Sequence, residues 1–439
     1  MRTRALIHLD ALIGLPLCGM AYALSLPGRA LRRLNRGRRA PASRTTVVPH
    51  AQQRILIVKF LGMGSMLLAT PLLRRLRRAY PQAHVTFLTF EANASLVRRL
   101  PGVDDVLAVP TGSLPRLLAH VPALLWRLRR QRFDLAFDLE FYSRLSNLVS
   151  WGSGARRRVG FFVRARWRGS LLTDPVYFNS TLPYGEAVVA LLRPLGLNDA
   201  GPLGPLDAPQ LSEQEQADAR AQLLTHGVPE EGTLVAINVN ASDLCEERRW
   251  PPERFAKLVE RFGREVANVD RFVFLGAASE TDVVRDVLNR VSAEVLPRCL
   301  DLSGRTSLVE LSALLSRAAL LISNDSGPLH LAAALRVPTI SFYGPETPQL
   351  YGPVGDRHLV FYSGHWCSPC LSVYNAKIAM CDGENECMRR IQLDDVVQQS
   401  ARFCREVVGL APVHPRASLA DESADGGTAD EDAAREAER

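Results

Sequence analysis

The residues best placed to do chemistry are Asp325, Ser326, Gly327 and His330, in the run Leu320 to Pro348, LLISNDSGPLHLAAALRVPTISFYGPETP. An apolar strand pattern ends in small and polar residues. Pro328, which has no N–H to lose in the first turn, opens a Leu- and Ala-rich helix, and the next strand follows at 337–343. Such a β–turn–α–β unit leaves backbone N–H groups pointing outward from a helix N-terminus, a natural seat for phosphate. Gly327 allows close approach, Asp325 and Ser326 can cap or bond, and His330 lies in the first turn. An ordinary capped helix accounts for the same residues equally well. A second cluster comes earlier. Gly62-Met63-Gly64-Ser65 follows a buried-type strand at 54–60, and a strand at 133–139 delivers Asp138 and Glu140 at its carboxyl end. Arg248, two residues before Trp250, reads by itself as a surface arginine. Glu280, just beyond a strand at 272–276, by itself favours a helix start. Cys367 and Cys370 have zinc-ligand spacing, whereas Cys381 and Cys387 are separated by five residues, so unligated thiols or a redox pair are preferred over a structural zinc.

Elements that could hold these residues alternate regularly. Strands at 54–60, 85–90, 106–109 and 133–139 are interleaved with helices, among them one from the glycine loop through Tyr80 and a basic one at 116–130. A second alternating series runs from 234 to about 408. Alternation of this kind indicates parallel sheets covered on both faces, with ligands at the carboxyl ends of the strands. Residues 62–65 and 138–142 should therefore line one crevice. The segment 198–212, rich in Gly, Pro, Leu and Asp, reads as an interdomain linker between domains at 54–197 and 213–410. A chain of 439 residues is long enough for two full cores.

The two ends are different in kind. Residues 11–26 are apolar and uncharged, followed by arginines at 29, 32, 33, 36, 38 and 39. The run is short of the ~20 residues needed to span a bilayer, and Pro16 interrupts it. Its positive block comes after the apolar part, which suits an interfacial or re-entrant anchor at a cytoplasmic leaflet better than a cleaved signal. A helix docked on the domain is the alternative. The segment 1–53 is thus read as a membrane-associating head and linker. The tail 411–439 is acidic, lacks apolar periodicity and is expected to be disordered. The D-x-D run Asp430-Glu431-Asp432 falls in that tail, where it cannot form a metal site. With a basic front and an acidic tail in a chain of net charge +7, an anionic surface is met at the front only, and no nucleic-acid partner is expected. Eight cysteines in so long a chain do not form a disulfide framework.

The runs ILIVKFLGMGSMLLATPLLRRL, FDLE, RRWPPERF, NDSGPLHLAAAL and FYGPETP, in this order between Ile55 and Val408, resemble glycosyltransferase family 9, the heptosyltransferases of the lipopolysaccharide inner core. The resemblance implies a GT-B architecture, two Rossmann-like α/β domains facing a cleft. The acceptor would sit on the first and a nucleotide sugar, typically ADP-heptose, on the second. It implies an inverting transfer with no metal and no other cofactor. Arg248 matches a family lysine that contacts phosphate, and Glu280 a family acid near the nucleoside. The family's first loop usually reads Gly-Asp, its aspartate being the proposed base; here the pair is Gly64-Ser65. Because the family's usual glutamine after the fourth strand is Glu140, the carboxylate is expected to have moved across the crevice. Glu140 would then act as base and Ser65 position substrate, Gly62 and Gly64 shape the loop, and Asp138 hold the neighbouring loop.

The expected protein is thus a glycosyltransferase at the cytoplasmic face of a bacterial inner membrane, moving a sugar, with heptose the expected one, to a lipid-linked glycan. The basic head and the arginine-rich face of the first helix (Arg74, Arg75, Arg77, Arg78) would meet anionic lipid and a phosphorylated acceptor. Two other readings compete: the same fold using a different nucleotide sugar, and a catalytically silent nucleotide-sugar-binding protein left by loss of the loop aspartate.

Overall fold

The computed structural model describes residues 10, 12–26, 53–163, 168–197, 201–241, 245–372, 377–379, 381 and 383–410. The arginine cluster after residue 26 and the acidic tail with its D-x-D run lie outside them. The first half contributes strands β1 (Arg54–Val58), β2 (His84–Phe90), β3 (Asp105–Val109), β4 (Leu135–Asp138), β5 (Arg157–Phe162) and β6 (Asp174–Tyr177). The second contributes β7 (Leu234–Asn238), β8 (Arg271–Phe274), β9 (Cys299–Asp301), β10 (Leu320–Asn324), β11 (Thr339–Tyr343) and β12 (His358–Tyr362). They form two six-stranded sheets, ordered β3-β2-β1-β4-β5-β6 and β12-β11-β10-β7-β8-β9, and neighbouring strands in both run parallel. Read from β9, the second sheet repeats the order of the first. Each is Rossmann-like, and each has its switch point between its first and fourth strands, where a crevice opens at the carboxyl ends. This is the GT-B arrangement.

Burial explains the central strands. β7, β10 and β11 are buried at every position, as expected for strands covered on both faces. Helix starts follow short-range chemistry. Ser212 with Glu215 and Ser307 with Glu310 form reciprocal capping boxes at the Glu213–Thr225 and Leu308–Arg317 helices. The helix expected from the glycine loop through Tyr80 is in fact two, Met63–Leu67 and Thr70–Ala79. Pro71 has no N–H to carry the ladder across the break; instead the Thr70 hydroxyl donates to the Leu67 carbonyl at 2.7 Å. Strands β5 and β6, short and flanked by arginines, were not foreseen.

Three of the four arginines of the Thr70–Ala79 helix meet partners within the protein, and Arg78 is exposed. Arg74 donates to the Pro205 carbonyl and Arg75 to the Gly201 and Pro202 carbonyls, and Arg77 pairs with Asp104 at 2.7 Å. These side chains tie the linker down.

The apolar head is a helix over 12–26, docked on one side and open on the other. Cys18 and Ala21 bury against Leu171. Asp10 accepts the N–H groups of Arg144 and Leu145, both at 2.7 Å, and the Ser143 hydroxyl, capping the Arg144–Gly152 helix where its dipole favours an anion. Gly14 lets the two helices meet, since a Cβ there would come within 2.9 Å of the Arg144 Cβ. On the open side Leu12 and Leu24 are 76% and 69% exposed. The helix docks, as one sequence reading expected, and keeps an apolar face outward. No helix among the described residues is long and apolar enough to cross a membrane.

Candidate active site

The crevices of the two sheets face one another across a cleft of about 490 Å³. Its walls come from the loops after β1 and β4 on one side, and after β7, β8, β10 and β11 on the other. Among the residues singled out from sequence, Gly62, Gly64, Ser65, Arg248, Glu280, Asp325, Ser326, Gly327 and His330 line it, whereas Asp138 and Glu140 do not.

On the second domain, the Gly327–Ala334 helix turns its N-terminus to this space, following directly on β10. Ser326 is its N-cap but makes no side-chain cap; its hydroxyl instead receives a hydrogen bond from Asn238 at 2.7 Å and shares one with Ser323. No side chain caps the first-turn N–H groups of this helix. Beside them the Arg248 guanidinium donates to Asp325 at 3.0 Å. That carboxylate raises the guanidinium's pKa further, against the opposing effect of burial, so a fixed positive charge stands at the helix tip. Trp250 anchors this arginine's loop: its backbone N–H donates to Asn324 and its indole N–H to the Ile391 carbonyl. Glu280 also lines the cleft, but its carboxylate accepts the Ala277 N–H at 2.8 Å and closes the turn after β8.

The first domain's loop presses against this helix. Gly62, at φ 85°, caps the Met63–Leu67 helix in a conformation that favours glycine. A Cβ on Gly64 would fall 2.4 Å from the His330 ring, and one on Gly327 2.5 Å from Met63. Both glycines are required by the contact between domains. His330 is buried, and burial lowers it to about 4, so it is neutral at pH 7. Among the described residues its Nδ1 has no hydrogen-bond partner. The Ser65 hydroxyl donates to the Gly62 and Leu61 carbonyls at 2.8 and 3.1 Å, holding the turn.

The expectation of Glu140 as base meets a different geometry. Its side chain is fully buried; Oε1 accepts the Phe60 and Leu61 N–H groups at 2.9 and 3.0 Å, and Oε2 lies 3.1 Å from Lys59 Nζ. The carboxylate faces the backbone of the first loop and a lysine rather than the cleft. Asp138 is likewise sealed, paired with buried Arg168 at 2.5 Å and accepting from Ser146 and the Glu140 N–H. It joins β4 to the following helix.

The sequence reading passed over three charged groups that do reach the cleft: Lys59, Glu346 and Lys377. Glu346 is 4% exposed and ion-paired with Lys377. Burial raises its carboxyl above the usual range, with Lys377 working in the opposite direction. Lys377 sits over the Tyr351 ring at 4.3 Å, and the Phe141 ring of the first domain lies between Lys377 and Lys59, 5.9 and 5.7 Å from each. The available signal was an acid and a lysine inside quoted motifs, FYGPETP and ILIVKF.

The loop that carries the cysteines reaches the cleft through Leu371 and Lys377, but none of its described cysteines lines that space. Cys367 is exposed with His365 Nδ1 3.2 Å from its sulfur, and Cys387 is buried, where burial pushes its thiol up to about 12. Among the described residues no group of three or more His, Cys, Asp or Glu is arranged to hold a metal ion.

Known proteins share this architecture. The description of glycosyltransferase family 9 (heptosyltransferase) matches residues 121–378, more than half of the chain. The chain is 28% identical over 310 residues to lipopolysaccharide heptosyltransferase 2 of Escherichia coli K12, covering 69% of this chain and 86% of that one. It is 27% identical over 308 residues to lipopolysaccharide heptosyltransferase 2 of Salmonella typhimurium, with the same coverage. Among solved structures, a family 9 glycosyltransferase from Veillonella parvula superposes with a TM-score of 0.66 at 23% identity, covering 83% of this chain and 100% of that one. The E. coli ADP-heptose lipopolysaccharide heptosyltransferase II gives 0.64 at 23%, covering 80% and 98%.

Proposed function

Since the chain belongs to glycosyltransferase family 9, the heptosyltransferases, we propose that it moves a heptose from ADP-heptose to a lipopolysaccharide-core or similar lipid-linked acceptor, inverting the anomeric centre without a metal. The observation that carries this reading is the helix tip at Gly327 standing beside the Arg248–Asp325 pair, directly across from the Gly62–Ser65 loop. Departure of ADP leaves negative charge on the diphosphate. Free N–H groups at a helix N-terminus and a guanidinium already oriented by a carboxylate stabilise that charge as it develops. Glu280, on the cleft wall, fits the nucleoside.

Inversion also needs a group to take the acceptor's proton from the opposite side. The geometry favours Glu346, a carboxylate on the cleft wall beside the aromatic pair Phe141 and Tyr351 where the domains meet. Glu140 then has a different part. It braces the loop after β1 and fixes Lys59, whose ammonium faces the acceptor side. Lys59, Lys377 and the described face of the first domain suit a phosphorylated sugar, and the open face of helix 12–26 suits the surface of the inner membrane at its cytoplasmic side.

The test is transfer by the full chain from ADP-heptose to a lipopolysaccharide-core acceptor, followed by mass spectrometry of the product with and without EDTA. Transfer insensitive to EDTA supports the reading. Transfer only from another nucleotide sugar replaces the donor. Donor binding with no transfer from any of them makes the chain a silent binding protein, the reading favoured if the hydroxyl of Ser65, spent on backbone carbonyls, marks a lost base.

A further inference from the structure

Behind the cleft, the first domain holds a second cavity of about 390 Å³ that none of the groups above explains. Two amphipathic helices form it. Ile13, Leu17, Met20 and Leu24, spaced as one stripe of helix 12–26, confront Leu118, Val121 and Leu125, one stripe of the Leu114–Arg130 helix. Trp151 and Leu148 close the floor. Two such stripes would normally pack into each other; here they stand apart, and the gap is lined almost wholly by apolar atoms. The carboxylates on its wall are engaged elsewhere, Asp10 with the Ser143–Leu145 turn and Glu140 with Lys59 and two N–H groups. A polar ligand would find little to bind.

The surroundings identify an occupant. Leu61 and Tyr142 line both this cavity and the sugar cleft, so the two spaces share a wall. The outer lip carries exposed Leu24, Met20, Leu118 and Trp126, 69%, 57%, 53% and 59% accessible. Arg127 and Arg130, also exposed, lie on the same helix, Arg130 over the Trp126 ring at 4.6 Å. An apolar slot with an apolar lip, guanidinium groups nearby and a polar cleft next door suits a molecule with a hydrocarbon chain and an anionic head.

We propose that this cavity takes an acyl chain of the lipid-linked acceptor, whose phosphorylated sugar head passes over Leu61 and Tyr142 into the cleft. The proposal rests on the acceptor reading above and adds to it a binding site for the lipid part. It assigns a function to helix 12–26: the helix completes one wall of an acceptor subsite.

The experiment uses the full chain and two probes, a phosphorylated core glycan bearing one brominated acyl chain and the same glycan without the chain. Brominated phosphatidylglycerol is the third arm. Bromine quenches nearby indoles, and Trp151 is isolated by subtracting the signal of Trp151→Phe. The acylated glycan is expected to quench Trp151 at concentrations at least tenfold below brominated phosphatidylglycerol. Leu118→Trp and Leu17→Trp, both at partly exposed positions, should fill the gap and raise KM for the acylated acceptor about tenfold. KM for the chain-free glycan and the thermal shift given by ADP should stay unchanged, the latter showing that the variants fold. Equal KM for acylated and chain-free acceptors in the unmodified chain would overturn the proposal. So would phosphatidylglycerol quenching as well as the acylated glycan, or a dimer in light scattering that Leu118→Trp dissociates, which would make a second copy the occupant. Quenching without transfer from ADP-heptose would leave the cavity assigned and remove the reaction instead.

Discussion

A carboxylate that takes a proton from a substrate needs a lone pair turned toward open space, and the two candidate acids differ on this point. Glu140 gives its oxygens to two backbone N–H groups and Lys59, while Glu346 lies on the cleft wall, paired through Oε2 with Lys377 and accepting at Oε1 a long 3.3 Å bond from the adjacent Thr347 N–H. Glu346→Gln is therefore expected to lower kcat by roughly 10²–10⁴-fold with donor binding kept, the usual weight of general base catalysis. In the unmodified chain, activity should rise with pH through an apparent pKa above the ordinary carboxylate value, because burial lifts Glu346. Loss of that limb in kcat/KM profiles of the variant checks the assignment. Glu140→Gln should act on stability instead. It leaves Lys59 buried without its counter-charge, a change that typically costs about 3–5 kcal/mol, measurable by urea denaturation. His330 makes a separate claim. Its native pKa is about 4 against 6.5 in an open chain, so between these values the unfolded state binds a proton that the native state refuses. Stability should fall by roughly 3 kcal/mol as pH drops through that window. The dependence should flatten in His330→Phe, read as urea midpoints at pH 7 and 4.5.

At the scale of elements, the site depends on one short helix meeting another. The Met63–Leu67 helix and the Gly327–Ala334 helix touch through Gly64 and Gly327, where no side chain fits. Gly64→Ala would drive a methyl to within 2.4 Å of the His330 ring, so the domains must part or the histidine must turn. Either outcome loosens the cleft without touching the donor groups. The variant is expected to fold, to raise KM for both substrates several-fold and to lower the melting temperature, as read by steady-state kinetics and calorimetry. Local pattern made the β10–helix–β11 unit readable from sequence, because an apolar run, a polar turn and Pro328 are all short-range signals. The glycine loop was readable for the same reason. The roles of Glu140, Lys59 and Glu346 were not. Whether an acid faces solvent, backbone or a lysine is decided by partners as distant in sequence as Lys59 is from Glu140, and no spacing rule carries that. The break at Leu68 and Ala69 was lost in the same way: its replacement bond, from the Thr70 hydroxyl, is invisible in hydrophobic periodicity.

For the whole molecule, the question is how a two-domain transferase keeps its cleft near a lipid-borne acceptor. Arg74, Arg75 and Arg77 of the Thr70–Ala79 helix are engaged by residues 201–205 and Asp104, so on the proposed reading the opposite edge of the first domain is the better candidate to meet a membrane. There the open side of helix 12–26 and the exposed stripe Leu114, Leu118, Val121 and Trp126 form one apolar margin, with Arg127 and Arg130 beside it. Burying apolar side chains contributes regardless of salt, whereas arginine–phosphate attraction weakens as the Debye length shrinks from about 10 Å at 0.1 M to about 3 Å at 1 M. Binding to vesicles containing phosphatidylglycerol should accordingly fall but persist between these salt concentrations. In neutral phosphatidylcholine it should be weaker and nearly salt-independent. Replacing Leu12 and Leu15 together by Ser, both outward-facing, outside the apolar cavity and absent from the contacts that dock the helix, should reduce binding to both vesicle types by a similar factor while leaving turnover with a chain-free acceptor intact. Sedimentation with vesicles reads the first effect and the transfer assay the second. If the substitutions abolished only the binding to anionic vesicles, the arginines rather than the apolar margin would be what holds the enzyme to the surface.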